Sequence, residues 1–511
     1  MFHFKITIMN YKKYLLFAGF SILGISACKK DYLDTKPTDQ VDNSALFTSA
    51  ANAKNALNGV YRYMYERTTT VVSTAAQNKP GVGGIMLYMD FMGEDLGISS
   101  SNWYTSDGGS WISHRTDNST MLEYMYRTYY RIIGNVNYII DNIDQASGAA
   151  ADKNTVKAEA LTLRAYAYFG LVQLFGKRYD AAAKPNNQLG VPLLLTSTDT
   201  NKPRESVENV YAAVVKDLET AISLNATASN KSHAGVTVAK GIRARVALVM
   251  QDYPNAIKYA KEIVDANQYP LLSVTDYQKG FNDANGLGEF IWASMPTLDQ
   301  GDTFGSYFAQ IAYNANTSFM RANPKRINSA LYGQIAATDV RKKMWEPAPT
   351  TANFPLPATN FSRQPYMSRK FSVKEVGGPS LGDVPLMRTA EMYLILAEAY
   401  AKTPGSEAAA RTVLFNLVKQ RDPAAVISVN SGQALIDEVL FNRRIELWGE
   451  GHRWLDLKRL NLPLDRTVVP NYVSGSVAGT LTIPAGDVKW QFLIPRAEME
   501  ANSGITGQQN P

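Results

Sequence analysis

The chain of 511 residues contains one cysteine, Cys28, and only four histidines. A single thiol excludes a disulfide framework and any metal site built on cysteine. His3 lies in an N-terminal leader. His114, His233 and His452 have no partner at ligand spacing, so no metal cofactor is expected. Basic blocks are also missing: the net charge of +6 is spread along the chain, which gives nucleic-acid binding no electrostatic support. No apolar run approaches the roughly 20 residues of a membrane-spanning helix. Neither a Gly-x-Ser-x-Gly nucleophile turn nor a strand-to-helix phosphate loop occurs, and "GVGG" at 81–84 alone is a weak signal. The chain must therefore hold together by core packing. Its 45% hydrophobic and 19% charged content is ordinary for a globular protein.

What is present begins at the N-terminus. Lys12 and Lys13 precede an apolar run from Tyr14 to Ala27, which closes on the small residues Ser26 and Ala27. This is the order of a secretory signal peptide. Met9, just before "NYKKYLL", offers a second start. Ile25-Ser26-Ala27-Cys28 resembles the bacterial lipobox, whose cysteine takes up diacylglycerol and becomes the new N-terminus. Residues 1–27 are accordingly expected to be a lipoprotein signal peptide, and 28–45 a lipidated N-terminus and polar tether. Several acyl chains are needed for stable anchoring. Lys5, Lys12 and Lys13 lie in that leader, leaving about +3 on the remainder.

Helical periodicity dominates the rest of the chain. "TVKAEALTLRAYAYFGLVQLFG" (155–176) places Val156, Ala160, Leu163, Ala167 and Leu171 on one face, and 206–224 repeats the pattern. Residues 237–271 read as a helical hairpin with Pro254 opening its second helix. Residues 386–402 and the segment after Pro404-Gly405 form another. Alanines at contact positions allow close helix approach, yet the hairpins recur at irregular separations, which excludes a uniform solenoid. Between them lie long insertions at 71–120 and 296–383, rich in Gly, Ser, Asn and aromatics, with "GEFIWASM" (288–295) as an edging strand. Insertions of this length inside compact domains are usually functional or disordered, and their aromatic content argues against disorder.

"TAEMYLILAEAYA" (389–401), "VLFNRRIELWGEGHRWLDLKRLN" (439–461), "FLIPRAEMEANSGITGQQNP" (492–511) and "AEALTLRAYAYFGLVQLFGKRY" (158–179) closely resemble signatures of SusD/RagB-like proteins. The resemblance, with the lipobox, covers essentially the whole mature chain. It departs slightly where Lys29 and Lys30 replace the more acidic run often found after the lipidated cysteine. The resemblance implies a mainly α fold, in which four tetratricopeptide-like helix pairs form a scaffold under long irregular loops with a few short strands. It implies an N-terminal region at 46–240 and a C-terminal RagB/SusD-like region at 241–511. It also implies a lipid-anchored, surface-exposed outer-membrane protein. Such a protein binds nutrient glycans and delivers them to a SusC-like TonB-dependent transporter, without catalysis and without a cofactor. Peptide-handling relatives make a peptide ligand the first alternative. A surface glycoside hydrolase is the second.

The densest polar stretch, "NRRIELWGEGHRWLDLKR", admits an enzymatic reading through Glu446 and Glu450 or His452 and Asp456. Spacing favours ion pairs instead, Arg443 with Glu446 and Arg453 with Asp456, each three apart on a helix, with Trp448, Trp454 and Leu457 as packing. Two catalytic carboxylates would have to flank a bound sugar. Sugar binding asks for flat rings over the C–H face of a pyranose and planar polar groups at its hydroxyl rim. Asn102, Trp103, Tyr104, Asp107, Trp111 and Arg115, spaced by Gly and Ser, supply that mixture. Phe304, Tyr307 and Tyr313 form a second candidate cluster. The competing reading of Trp103 and Trp111 is that they pin a loop to the scaffold. Asp90, Glu94 and Asp95 are expected to cap a helix.

Overall fold

The computed structural model describes residues 47–67, 77–98, 103–472 and 480–511. The signal peptide, Cys28, the tether and Asn102 lie outside the described residues. Among those described, no helix is long and apolar enough to cross a membrane.

Helices dominate, as the periodicity predicts. The first three are α1 (Ala50–Tyr65), α2 (Gly81–Met92) and α3 (Trp103–Ser110). Next comes a run of five: α4 (Thr120–Asn142), α5 (Ala150–Phe175), α6 (Val207–Leu224), α7 (Val236–Val249) and α8 (Tyr253–Ala266). Their ends carry the expected chemistry. Ser119, Ser206 and Asp252 accept backbone N–H bonds at the starts of α4, α6 and α8. Asn225 and Asn267 close α6 and α8 in the left-handed conformation. Helix α5 is buried on nearly all sides. At Gly170 a Cβ would come within 2.6 Å of the Tyr129 ring, so the approach of α4 to α5 depends on that glycine. The 240/241 division falls inside α7, and the main core runs through it.

After α8 the chain leaves the helical stack and returns at α12 (Thr389–Ala401), α13 (Glu407–Val418) and α14 (Gly432–Glu446). Each helix from α4 to α8 packs on the next, α8 packs on α12, and α12 on α13 and α14. Eight helices thus form four successive pairs. The last has its own small core, in which Ala390 and Ala397 meet Leu414, Leu417 and Val439.

The excursion between α8 and α12 is pinned at its base. Two fully buried strands, 290–294 and 384–388, pair antiparallel, with Phe290 opposite Arg388 and Ser294 opposite Val384. Beyond that clamp lie three single-turn helices, α9 (Tyr307–Ile311), α10 (Ser318–Ala322) and α11 (Ser329–Gly333). A two-residue ladder then joins Trp345-Glu346 to Met367-Ser368. Two short helices, α15 (Arg453–Arg459) and α16 (Arg496–Ala501), complete the set.

One expectation fails. Residues 81–92 lie inside an insertion read as loop, yet they form the buried helix α2. Its glycines serve close packing rather than flexibility. A Cβ on Gly83 would sit 3.1 Å from Tyr307, and one on Gly81 would strike the Met64 carbonyl.

Candidate functional site

The polar constellation at 442–459 is a buried ion cluster, but its partners are not the near neighbours that the spacing predicted. Glu446 is fully buried and accepts from Arg421 (Nε, 3.1 Å) and Arg388 (Nη1, 3.1 Å), with Arg341 at 3.5 Å. Glu450 accepts from Arg388 (2.6 Å) and Lys370 (2.7 Å). Glu289 pairs with Arg388 and Arg421, and Asp339 with Arg341. Arg443 reaches Asp456 at 2.8 Å, while Arg453 pairs with Glu94. Asp456 does pair at i,i+3, but with Arg459 at 2.7 Å; the two expected pairs fail because α14 and α15 bury these faces, where partners from distant segments compete. Asp90, Glu94 and Asp95 likewise cap nothing. Asp90 accepts from the Gly451 N–H, and Glu94 and Asp95 receive Arg453 and Arg444.

Burial alone would raise the Glu450 carboxyl, but Arg388 and Lys370 beside it hold it down to about 2. Burial also lowers His452 to about 4. The two carboxylates that tempt an acid–base reading, Glu446 and Glu450, are therefore buried and held as ions by the cations beside them, while the half-buried His452 is held as a neutral imidazole. Their chemistry is that of a clamp.

Above this clamp the excursion encloses an open groove of about 600 Å³. Its walls come from five separated segments: 278–280, Tyr313, the stretch from Tyr332 to Glu346, Pro355, and Arg369 with Ser372. Tyr313 and Tyr332 are half-buried. Tyr313 packs edge-on against Phe354 and Tyr332 against Tyr366, each at 5.4 Å between ring centres. Lys342 lies over the Tyr332 ring at 5.0 Å and donates to the Ile335 carbonyl. Arg369 lies over Phe354 at 5.2 Å and bonds Glu346 at 3.1 Å. Burial raises both tyrosine hydroxyls, so at neutral pH they stay protonated donors.

The groove hangs on the ion cluster through sequence neighbours. Arg341 enters the cluster while Lys342 and Lys343 line the groove. Lys370 enters it while Arg369 lines the groove. Trp345, at the groove, packs edge-on against Trp448 of the clamp at 5.5 Å.

Of the singled-out residues whose side chains are described, the structure brings Tyr313 alone into this groove. Phe304 is 41% exposed, on the turn capped by Asp302. Tyr307 is buried and donates to the Gly449 carbonyl at 2.5 Å. Trp111 is buried in a left-handed turn (φ 57°), its indole N–H donating to Met92 O and its ring edge-on to Trp490 at 4.8 Å. Both ring faces are committed to the core. Asp107 accepts from Ser113, and Arg115 donates to the Gln491 and Pro511 carbonyls, tying down the C-terminus. Trp103 and Tyr104 lie on α3, with side chains outside the described set. Sequence reasoning missed Tyr332, Lys342, Lys343, Glu346 and Arg369. The signal available was "VRKKMWE", where cations and an aromatic adjoin inside an insertion.

Smaller cavities occur elsewhere. One of about 280 Å³ lies beside Lys177, Asn461 and Trp490, and one of about 110 Å³ lies inside the scaffold near Met86 and His452. Among the described residues no three His, Cys, Asp or Glu side chains gather as a metal site.

Comparison with known proteins agrees with this architecture. Residues 278–511 match the family model described as "SusD family", and 31–248 match one described as "Starch-binding associating with outer membrane". A SusD-like protein P2 of Formosa agariphila is 25% identical over 381 residues, 68% of this chain and 73% of its own. A SusD-like carbohydrate binding protein from Bacteroides vulgatus superposes with a TM-score of 0.75 at 24% identity, over 91% of this chain and 99% of its own. Surface glycan-binding protein A from Bacteroides fluxus does so at 0.65 and 18%, over 90% and 99%.

Proposed function

Because the chain belongs to the SusD/RagB-like family, we propose that it is a non-enzymatic surface lipoprotein that binds nutrient glycans in the groove. We propose further that it hands them to a SusC-like TonB-dependent transporter in the outer membrane. The observation that carries the ligand reading is the groove, where half-buried tyrosine rings stand beside cationic and hydroxyl donors in about 600 Å³ of open space. That volume falls within the range of pockets that enclose small ligands. Rings for the sugar face and donors for its rim are the two requirements of saccharide binding. Phe304, exposed on its own turn, and Trp103 and Tyr104 are proposed as secondary contacts for a longer chain.

A non-enzymatic role is supported by Glu446 and Glu450, whose buried carboxylates are committed to Arg388, Arg421 and Lys370, since an acid–base pair must reach its substrate. Anchoring is proposed through a diacylglyceryl group on Cys28. Two measurements test the whole. A glycan array probed with the purified protein should show retention that Tyr332→Ala weakens; retention by a peptide library instead would replace the glycan reading. Mass spectrometry of native material should find Cys28 acylated, and an unmodified Cys28 would refute the anchor.

A further inference from the structure

The groove's charge is lopsided. Lys279, Lys342, Lys343 and Arg369 line it against a single acid, Glu346. Arg369 consumes that acid by pairing with it at 3.1 Å. Lys279 pairs with Asp276 outside the lining at 2.6 Å, with both side chains substantially exposed, where such a pair is weak and exchangeable. Lys342 meets a carbonyl oxygen and a ring face, neither of which cancels a full charge. Lys343 is exposed and pairs with no carboxylate among the described residues.

Donors and acceptors are lopsided in the same sense. Ammonium and guanidinium groups only donate, and the one carboxylate already accepts from Arg369 and the Ala348 N–H. A neutral sugar offers hydroxyls that both donate and accept, of which the four cations can use only the accepting side. A ligand bearing carboxylate or sulfate groups offers acceptors alone, and each charge-assisted bond to a cation is about twice as strong as a neutral one. A concave wall of one sign also concentrates oppositely charged ligand before contact.

We infer that the groove between Tyr313, Tyr332 and the Lys342-Lys343 segment selects acidic saccharides, those carrying carboxylate or sulfate groups. This rests on the reading of the groove as a saccharide site. The tyrosine rings hold sugar faces, while Lys279 and Lys343 at the rim hold the anionic groups.

The test is calorimetric titration of the full-length protein with two matched pairs: an oligogalacturonide and its carboxyl-reduced form, and a sulfated galactan oligosaccharide and its desulfated form. The acidic member of at least one pair should bind about tenfold tighter than its neutral counterpart. Which pair shows the difference identifies the source of the charge. Raising NaCl from 50 to 500 mM should erase most of that advantage. Lys279→Ser/Lys343→Ser, two exposed positions whose change should leave the melting curve in place, should weaken the acidic member about fivefold to tenfold. Equal affinity for neutral members, still weakened in Tyr332→Ala, would overturn the acidic preference while sparing the saccharide site. No binding by any of the four would overturn both. Unchanged affinity in the double lysine variant, or equal binding of penta-glutamate, would also refute the inference.

Discussion

Glu446→Gln takes one negative charge out of a cluster that is otherwise balanced, with Arg341, Lys370, Arg388 and Arg421 facing Asp339, Glu289, Glu446 and Glu450. Every member is at least nine-tenths buried, so water cannot screen what remains. The amide keeps the shape and can still accept from Arg421, but one buried positive charge is left uncompensated. Removing one partner from such an arrangement destabilises by about 3–5 kcal/mol. At about 2 cal/mol/K of unfolding entropy per residue, a chain this long loses of order 1 °C per kcal/mol. The melting point, read by circular dichroism at neutral pH, should therefore fall by about 3–5 °C. Arg421→Met in the same chain restores the charge balance. The double variant should then recover about 1–3 kcal/mol relative to the sum of the singles. A melting point within 1 °C of the parent for Glu446→Gln, or strict additivity in the double, would refute the argument that charge balance holds this core.

Tyr332→Ala and Tyr313→Ala, removing rings from the groove but not from the main core, should each weaken glycan affinity about threefold to tenfold, read by titration on protein that melts near the parent temperature. Trp111→Ala should do the reverse, lowering stability by about 3–5 kcal/mol through the cavity left against Trp490 while the surviving folded protein binds normally. Acid should destabilise in two stages. His452 and His114 are lowered by burial to about 4 and about 3 in the folded state; the unfolded state takes their protons first, so stability falls as pH drops below about 6.5. Glu450 and Glu398, held down to about 2, contribute stability above about 4.5 that is lost as pH falls toward 2. A melting point flat between pH 7 and 4 would contradict the first stage.

The helical hairpins were legible because alanine and large apolar residues recur at 3.6-residue spacing, and Pro254 and Pro404-Gly405 punctuate them. Helix α2 was not, since Gly81, Gly83 and Gly84 read as loop until the Tyr307 ring and the Met64 carbonyl are seen against them. The ion cluster was legible as a network but not as a set of partners. Arg388 and Glu446, like Arg421 and Glu289, meet only because distant segments fold onto α14. Tyr313, singled out by its chemistry, does line the groove. Lys343 and Arg369 were not singled out, because five separated segments build the groove and no local pattern joins them.

Along two segments of the excursion, consecutive side chains face opposite ways: Arg341 and Lys370 inward to the salt cluster, Lys342, Lys343 and Arg369 outward to the groove. Tenacity and taste are thus encoded by different letters of one short word. Evolution, or an engineer, can rewrite the outward letters to reshape the groove without loosening the rivets beneath.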